Sequence, residues 1–269
     1  MVVSILGCGW YGKALAERLL KNKAIVKGSA TSPEKRDALD DLGILPYLVK
    51  FDKAVNAVDP VFFDCDVLVV SIPPKTKSGE GESYLLKIQH VIAACIQYQV
   101  KKVIYISSTG VYGDYNSEVD ELTAPNPDTP SGLKLFDAEQ LFKKETSLQT
   151  TIVRFGGLIG PDRHPGRFFA GKTGIPNGLA PVNLIHQLDC VGITMAIIDK
   201  DAFGYVFNAC SPDHPPKHVY YSEMAAKAGL PAPVFIPELN SWKIVNSIQL
   251  KNVLGYEFKV DNLNAPGVF

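Results

Sequence analysis

The sequence predicts an α/β protein, a doubly wound parallel sheet with a small C-terminal lobe. Two observations carry this. Short, almost uniformly apolar runs alternate with stretches of helical periodicity through residues 1–155, the pattern of strands buried on both faces between covering helices. A glycine-spaced loop, Gly7-Cys8-Gly9-Trp10-Tyr11-Gly12, lies between the first apolar run and the first helical stretch. With 269 residues the chain is long enough for one large core plus a lobe.

Taken in order, Val2–Leu6 opens as a strand and residues 11–20 follow as a helix. Residues 24–28 make the second strand; 33–42, led by Ser32-Pro33, make a helix that Ser32 is placed to cap. Strands are expected at 45–50, 67–72, 103–107 and 151–155, with helices at 82–98 and 134–146 between them. The helix at 82–98 has the clearest period, in Tyr84, Ile88, Val91, Ile92, Cys95 and Ile96. After Phe155 the composition shifts: residues 156–181 hold seven glycines and four prolines, a loop-rich stretch. Strand and helix signals resume at 183–198 and 205–209, with short helices at 222–228 and 246–254. Residues 1–155 are therefore expected to form one domain and 156–269 a smaller lobe that shares strands with the same sheet.

The loop's chemistry follows from its place. Gly7 suits a tight turn, Gly9 lets a pyrophosphate approach backbone, and Gly12 lets helix pack closely on strand. The following helix offers unpaired N–H groups and a positive dipole end, so Gly7, Cys8, Gly9, Trp10, Tyr11 and Gly12 are candidate contacts to a dinucleotide. This is the Rossmann arrangement. A dinucleotide lacking a 2′-phosphate is usually held by an acid at the end of the second strand. Here Ser29-Ala30-Thr31-Ser32 stands there instead, followed by Lys35 and Arg36. Thr31, Ser32 and Lys35 fit a 2′-phosphate, so NADP is preferred to NAD, although the same residues also suit plain helix capping and a solvated surface. Ser71, Ile72 and Pro73, at the end of the fourth strand, border the same crevice.

Composition narrows the partners. A net charge of −1 does not suit a nucleic-acid or anionic-membrane surface. No apolar run is long enough to span a bilayer, and no basic region precedes Val2, so no signal peptide is expected. Cys8, Cys65, Cys95, Cys190 and Cys210 show no pair spacing, which fits a reduced cytoplasmic setting.

Several motifs resemble those of one family. Ser107-Ser108-Thr109-Gly110-Val111-Tyr112-Gly113 resembles the S-S-x-x-V-Y-G turn of extended short-chain dehydrogenases/reductases, the nucleoside-diphosphate-sugar epimerases and dehydratases. Arg154-Phe155-Gly156-Gly157-Leu158-Ile159-Gly160-Pro161-Asp162-Arg163 is similar to R-x-x-G-I-Y-G-P-x-R, and residues 183–191 to N-x-I-H-x-x-D-x-V. Phe207-Asn208-Ala209 and Leu254-Gly255-Tyr256 resemble two further family motifs. The resemblance implies that Ser107 lines the cofactor and that Ser108 holds a substrate hydroxyl. Strand-end capping is the alternative for Ser108. It also implies a variable substrate loop, in which Arg163, Arg167 and Lys172 meet substrate anions. Related proteins often dimerise through helices corresponding to 82–98 and 134–146, so a homodimer is expected.

One departure stands out. The family's Tyr-x-x-x-Lys dyad precedes an Ala-Glu pair at fixed spacing. Ala138-Glu139 resembles that pair, which puts Ser131 at the Tyr position and Leu135 at the Lys position. Lys134 is one residue off, roughly 100° around the helix, and Tyr112 sits near enough to be weighed as a displaced acid, though packing is the simpler role. The sequence resembles an atypical bacterial branch lacking the tyrosine. An NAD(P)-dependent enzyme acting on a small hydroxylated, nucleotide-sugar-like substrate is expected, with Ser108 and Lys134 as its candidate catalytic residues. A non-catalytic NADP(H) sensor is the alternative, and a site that has lost its dinucleotide a third.

Two patterns mislead. Residues 166–173 match G-x-x-x-x-G-K-T, but prolines precede them and glycines follow, so no strand feeds the loop and no helix follows it. Cys210, His214 and His218 have metal-like spacing, but three candidates interrupted by prolines make a turn, and no metal is expected. His186 is expected to hold the core together by hydrogen bonding.

Overall fold

A computed structural model describes residues 1–51, 58–74, 83–265 and 267. Residue 82, where one helix was expected to begin, lies outside them. In the first half, β1 (Val2–Leu6), α1 (Trp10–Lys21), β2 (Ile25–Ala30), α2 (Pro33–Asp40), β3 (Leu45–Leu48), β4 (Val67–Val70), α4 (Tyr84–Gln97), β5 (Lys102–Ser108), α5 (Pro130–Lys144) and β7 (Gln149–Phe155) follow the expected alternation. Among the described residues it also has two short pieces that periodicity did not mark, α3 (Pro60–Phe63) and β6 (Ser117–Val119). Four and three residues are too few to set a period. β8 (Gly157–Ile159), α6 (Gly166–Phe169), β9 (Leu184–His186), α7 (Gln187–Asp199), β10 (Val206–Ala209), α8 (Lys217–Lys227), β11 (Lys243–Val245) and α9 (Ile248–Leu254) complete the chain.

Among the described residues seven strands form one sheet in the order β10-β7-β5-β4-β1-β2-β3, and every pairing is parallel. The sheet is open, with β3 and β10 at its edges. One apolar layer, with Val3, Ile5, Leu15, Leu19 and Ile193, packs α1, α7 and α9 on one face. The other, with Leu68, Val70, Ile88, Val91, Tyr105 and Phe142, packs α4 and α5 on the opposite face. This is a doubly wound Rossmann-like fold. The order reverses between β1 and β4, so a crevice opens at their carboxyl ends, where open α/β sheets take ligands. A third, smaller core gathers Ile159, Leu184, Tyr220, Tyr221 and Met224 between β8, β9 and α8.

Helix starts account for the two largest boundary differences. α5 begins at Pro130 rather than at 134, because Thr129 Oγ1 accepts from Gly132 N at 3.1 Å and Pro130 takes the first helical position. α8 likewise begins at Lys217, after Pro216, five residues before the expected helix. Ser32 does sit at the start of α2, but its side chain accepts no cap hydrogen bond. Its hydroxyl engages Glu34 instead, which holds that carboxyl below its ordinary range.

Candidate functional site

The glycine loop lies at the reversal point, and each glycine meets a different constraint. Gly7 has φ +95°, and a Cβ there would lie 2.9 Å from the Ser71 backbone. Gly12 would put a Cβ 2.9 Å from Gly7 O and 3.2 Å from an Ile5 methyl, so α1 can approach β1 only without a side chain. At Gly9 a Cβ would meet nothing within 4 Å. That space lies in front of the α1 N-terminus, which has no side-chain cap and no acid in its first turn, while Arg18 and Lys21 sit in the last. The arrangement fits the diphosphate of a dinucleotide, with N–H groups at Trp10 and Tyr11 to hold it.

The loop is braced on both sides. Ser29 Oγ accepts from Gly7 N at 2.8 Å, and Ser71 Oγ donates to Gly7 O at 2.8 Å. Ile72 and Pro73 continue the Ser71 wall, where Tyr84 Oη reaches Ile72 O at 3.3 Å and Tyr105 Oη at 2.8 Å. Thr31 and Lys35 are exposed beyond the end of β2, whereas Arg36 turns to Asp37 at 3.1 Å.

Some of the expected contacts are backbone only. Cys8 packs its thiol against Gly28, and burial pushes its pKa up to about 11. Tyr11 is buried; its hydroxyl lies 2.7 Å from Thr194 Oγ1 and its ring packs edge-on against Phe155, so it joins α1 to α7 and the sheet. Trp10 turns outward, its Nε1 donating to Pro161 O at 2.7 Å.

Of the two serines at the end of β5, Ser107 differs from the expectation. Ser107 is buried and donates to Glu139 Oε1 at 2.6 Å rather than facing the crevice. Glu139 is bound twice by Arg154, through Nε at 3.0 Å and Nη2 at 2.6 Å. Arg154 Nη1 donates to Tyr112 Oη at 2.6 Å, and that hydroxyl lies within reach of Asp120 O (2.8 Å) and Asn208 Oδ1 (3.1 Å). Burial opposes the Arg154 charge, but the Glu139 carboxylate and Tyr112 outweigh it and hold the guanidinium's pKa above its ordinary value. Burial pushes the Tyr112 phenol up, so it stays protonated as part of this network. Ser108 takes the capping role: its Oγ accepts from Gly110 N at 3.1 Å in a one-turn helix, Thr109–Val111. The hydroxyl proton is left to donate elsewhere.

α5 packs end-on against that turn. Gly132 makes this contact, since a Cβ there would lie 2.2 Å from Gly110 O and 3.0 Å from Pro127 and Thr129 side-chain atoms. Gly132→Ala is therefore expected to push α5 off the turn and lower stability by about 1–3 kcal/mol. An unchanged melting temperature would contradict this contact. Ser131 and Lys134 are partly exposed on the first turns of α5, and Leu135 is buried.

Beside the turn is a cavity of about 300 Å³, bounded by Thr109, Gly110, Asp114, Asn183, Lys217, Trp242 and Lys243 among others. Its cations are not those expected. Arg163 lies over the Trp10 ring, 5.1 Å from its centroid, and Lys172 lies over Phe169 and donates to Phe168 O at 3.1 Å. Arg167 is exposed on the four-residue α6. None of the three lines the cavity. Lys243 does, bound to Asp114 at 2.7 Å and Tyr112 O at 2.6 Å, and so does Lys217, which has no carboxylate within ion-pair distance among the described residues. Neither lysine stood in a recognisable motif.

His186, His214, His218 and Cys210 make local contacts to backbone. His186 Nδ1 accepts from Leu188 N at 3.2 Å at the start of α7. His214 and His218 each place Nδ1 2.9 Å from a backbone carbonyl, and Cys210 faces Leu184 O at 3.6 Å. Among the described residues no group of three metal-ligating side chains is gathered. No helix there is long and apolar enough to cross a membrane.

The comparisons agree with this geometry. A family described as NAD(P)H-binding matches residues 7–179. Protein YeeZ of Escherichia coli (strain K12) is 35% identical over 263 residues, covering 96% of this chain and 95% of its own. UDP-glucuronic acid 4-epimerase from Bacillus cereus, in complex with NAD, superposes with a TM-score of 0.78 at 22% identity, over 98% of this chain and 97% of that one. A UDP-glucose 4-epimerase from Thermotoga maritima, with UDP-glucose, gives 0.79 at 18% identity, over 98% and 96%. At such identities these two structures establish likeness of fold.

Proposed function

The chain belongs to the NAD(P)H-binding family, and from that premise we propose that it is an NADP-preferring, epimerase- or dehydratase-like enzyme of a reducing compartment. Its substrate is a small hydroxylated molecule of nucleotide-sugar type. The observation that carries this reading is the presence of two spaces, each beyond the carboxyl end of a strand of the central sheet: the open cradle at Gly9 after β1, and a cavity lined by the Thr109–Val111 turn after β5. In the sheet only β4 stands between β1 and β5, beside the reversal point where such sheets take ligands.

A nicotinamide dinucleotide bound at the cradle would supply hydride transfer. The chain's own part is positioning. Ser108, whose oxygen is engaged by Gly110 N, keeps a proton to give a substrate hydroxyl or carbonyl. Lys217 meets an anionic substituent, and Trp242 offers an aromatic wall. With Ser131 and Leu135 in the dyad positions, the family's usual proton carrier is replaced by another group, and Lys134 is the nearest cation on that helix. Thr31 and Lys35, past a strand end without an acid, support the NADP preference. All five cysteines are unpaired, which supports a reducing setting.

Fluorescence titration with NADPH and with NADH tests the cofactor, and a panel of nucleotide sugars added to the loaded protein tests the substrate. NADPH is expected to bind more tightly, and at least one nucleotide sugar, added to the protein loaded with NADP+, to give product or a transient rise in reduced nicotinamide. Tighter binding of NADH would overturn the preference. Tight cofactor binding with neither product nor transient nicotinamide reduction across the panel would overturn the enzymatic reading.

A further inference from the structure

The turn at residues 160–163 runs to the mouth of the glycine loop and is fixed there by several contacts. Trp10 Nε1 donates to Pro161 O at 2.7 Å, and Gln187 Nε2 donates to Trp10 O at 3.2 Å. Gly160 permits the approach: its φ is +146°, and a Cβ would lie 3.0 Å from Gln187 Cβ and 3.3 Å from the Trp10 ring. Asp162 then takes φ +63°, and Arg163 N donates back to Gly160 O at 3.0 Å. This reversal sets the Arg163 guanidinium over the indole of Trp10, the first residue of α1.

Arg163 is exposed and has no carboxylate within ion-pair distance among the described residues. An arginine held by stacking on a ring keeps its edge N–H groups available in a fixed plane, suited to two oxygens of one anion. The group that the family binds at the adjoining helix N-terminus carries such oxygens in its diphosphate. We propose that Arg163 is a cofactor-positioning residue, closing on the diphosphate from the Trp10 side, and not a substrate contact. This rests on the dinucleotide reading of the glycine loop. It also gives the Gly160-Pro161-Asp162-Arg163 segment a physical role: a tight reversal that delivers one charge to the cradle.

The two tryptophans are Trp10 and Trp242, so Trp242→Phe leaves Trp10 as the sole reporter beside the cradle. In that background, Trp10 emission is expected to change on adding NADPH, NADH or ADP-ribose, all of which carry the diphosphate. Arg163→Ala is expected to weaken all three by a similar factor, about tenfold to a hundredfold, with an unchanged melting temperature and a shallower salt dependence. Arg163→Lys should fall between. Calorimetry on the same variants removes any effect of the substitution on Trp10 emission itself. Affinities within twofold of the parent would overturn the proposal, as would a loss confined to NADPH, which would assign Arg163 to the 2′-phosphate. A parent that binds none of the three would overturn the reading of the glycine loop, and this proposal with it.

Discussion

Gly9→Asp is expected to abolish dinucleotide binding while the protein stays folded. The two effects separate because of where the new side chain would go. A Cβ at Gly9 meets no protein atom within 4 Å, so no core packing is disturbed. The added carboxylate would occupy the diphosphate's place and itself accept the first-turn N–H groups of α1, as N-terminal acids do. Losing two hydrogen bonds to a charged ligand, at roughly 1.5–3 kcal/mol each, weakens binding by about two to four decades. Gly12→Val makes the contrast: its Cβ would lie 2.9 Å from Gly7 O, so this variant should melt at a lower temperature. Calorimetric titration and a thermal melt on each variant check both halves. Undiminished NADPH binding by Gly9→Asp would contradict the cradle.

The second large effect concerns stability. Glu139→Ala is expected to cost about 3–5 kcal/mol, because it leaves the Arg154 charge buried without a partner. The side chains are 0% and 2% exposed, so water cannot take the carboxylate's place, and Ser107 loses its acceptor as well. Arg154→Met with Glu139→Leu should recover most of the loss, since apolar residues of similar volume replace a buried pair at little cost. Chemical denaturation midpoints at a constant slope measure both variants. A cost below about 1 kcal/mol for Glu139→Ala would contradict this account of the pair. The site depends on the network because it holds Ser107 at the end of β5 and Tyr112 just beyond the Thr109–Val111 turn, and Thr109 and Gly110 of that turn line the cavity.

What the sequence made legible was local in the chain. The glycine loop lies wholly within six residues, flanked by a strand and a helix whose periods are long enough to read. The tight turn at Gly7 and the close helix–strand approach at Gly12 therefore emerged as expected, with open space at Gly9. The start of α5 was equally local, in Thr129-Pro130, yet the apolar period drew the boundary four residues late. The polar contacts were harder because they join distant positions. Both Glu139 and Arg154 stood in recognisable motifs, but only the packing of α5 on β7 brings them together and turns Ser107 inward. Trp10 and Pro161 are 151 positions apart, so the placing of Arg163 over the Trp10 ring had no sequence signal. Lys243 reaches the cavity through β11, a three-residue strand paired with the equally short β6, and neither has a period to detect.

The most direct test of the central claim is a crystal structure of the protein with NADPH. The account predicts the diphosphate on the backbone N–H groups of Trp10 and Tyr11, in the space above Gly9, with the Arg163 guanidinium against it. The nicotinamide should point towards the Ser108 turn. A dinucleotide bound away from the α1 N-terminus, or none at a saturating concentration, would contradict it.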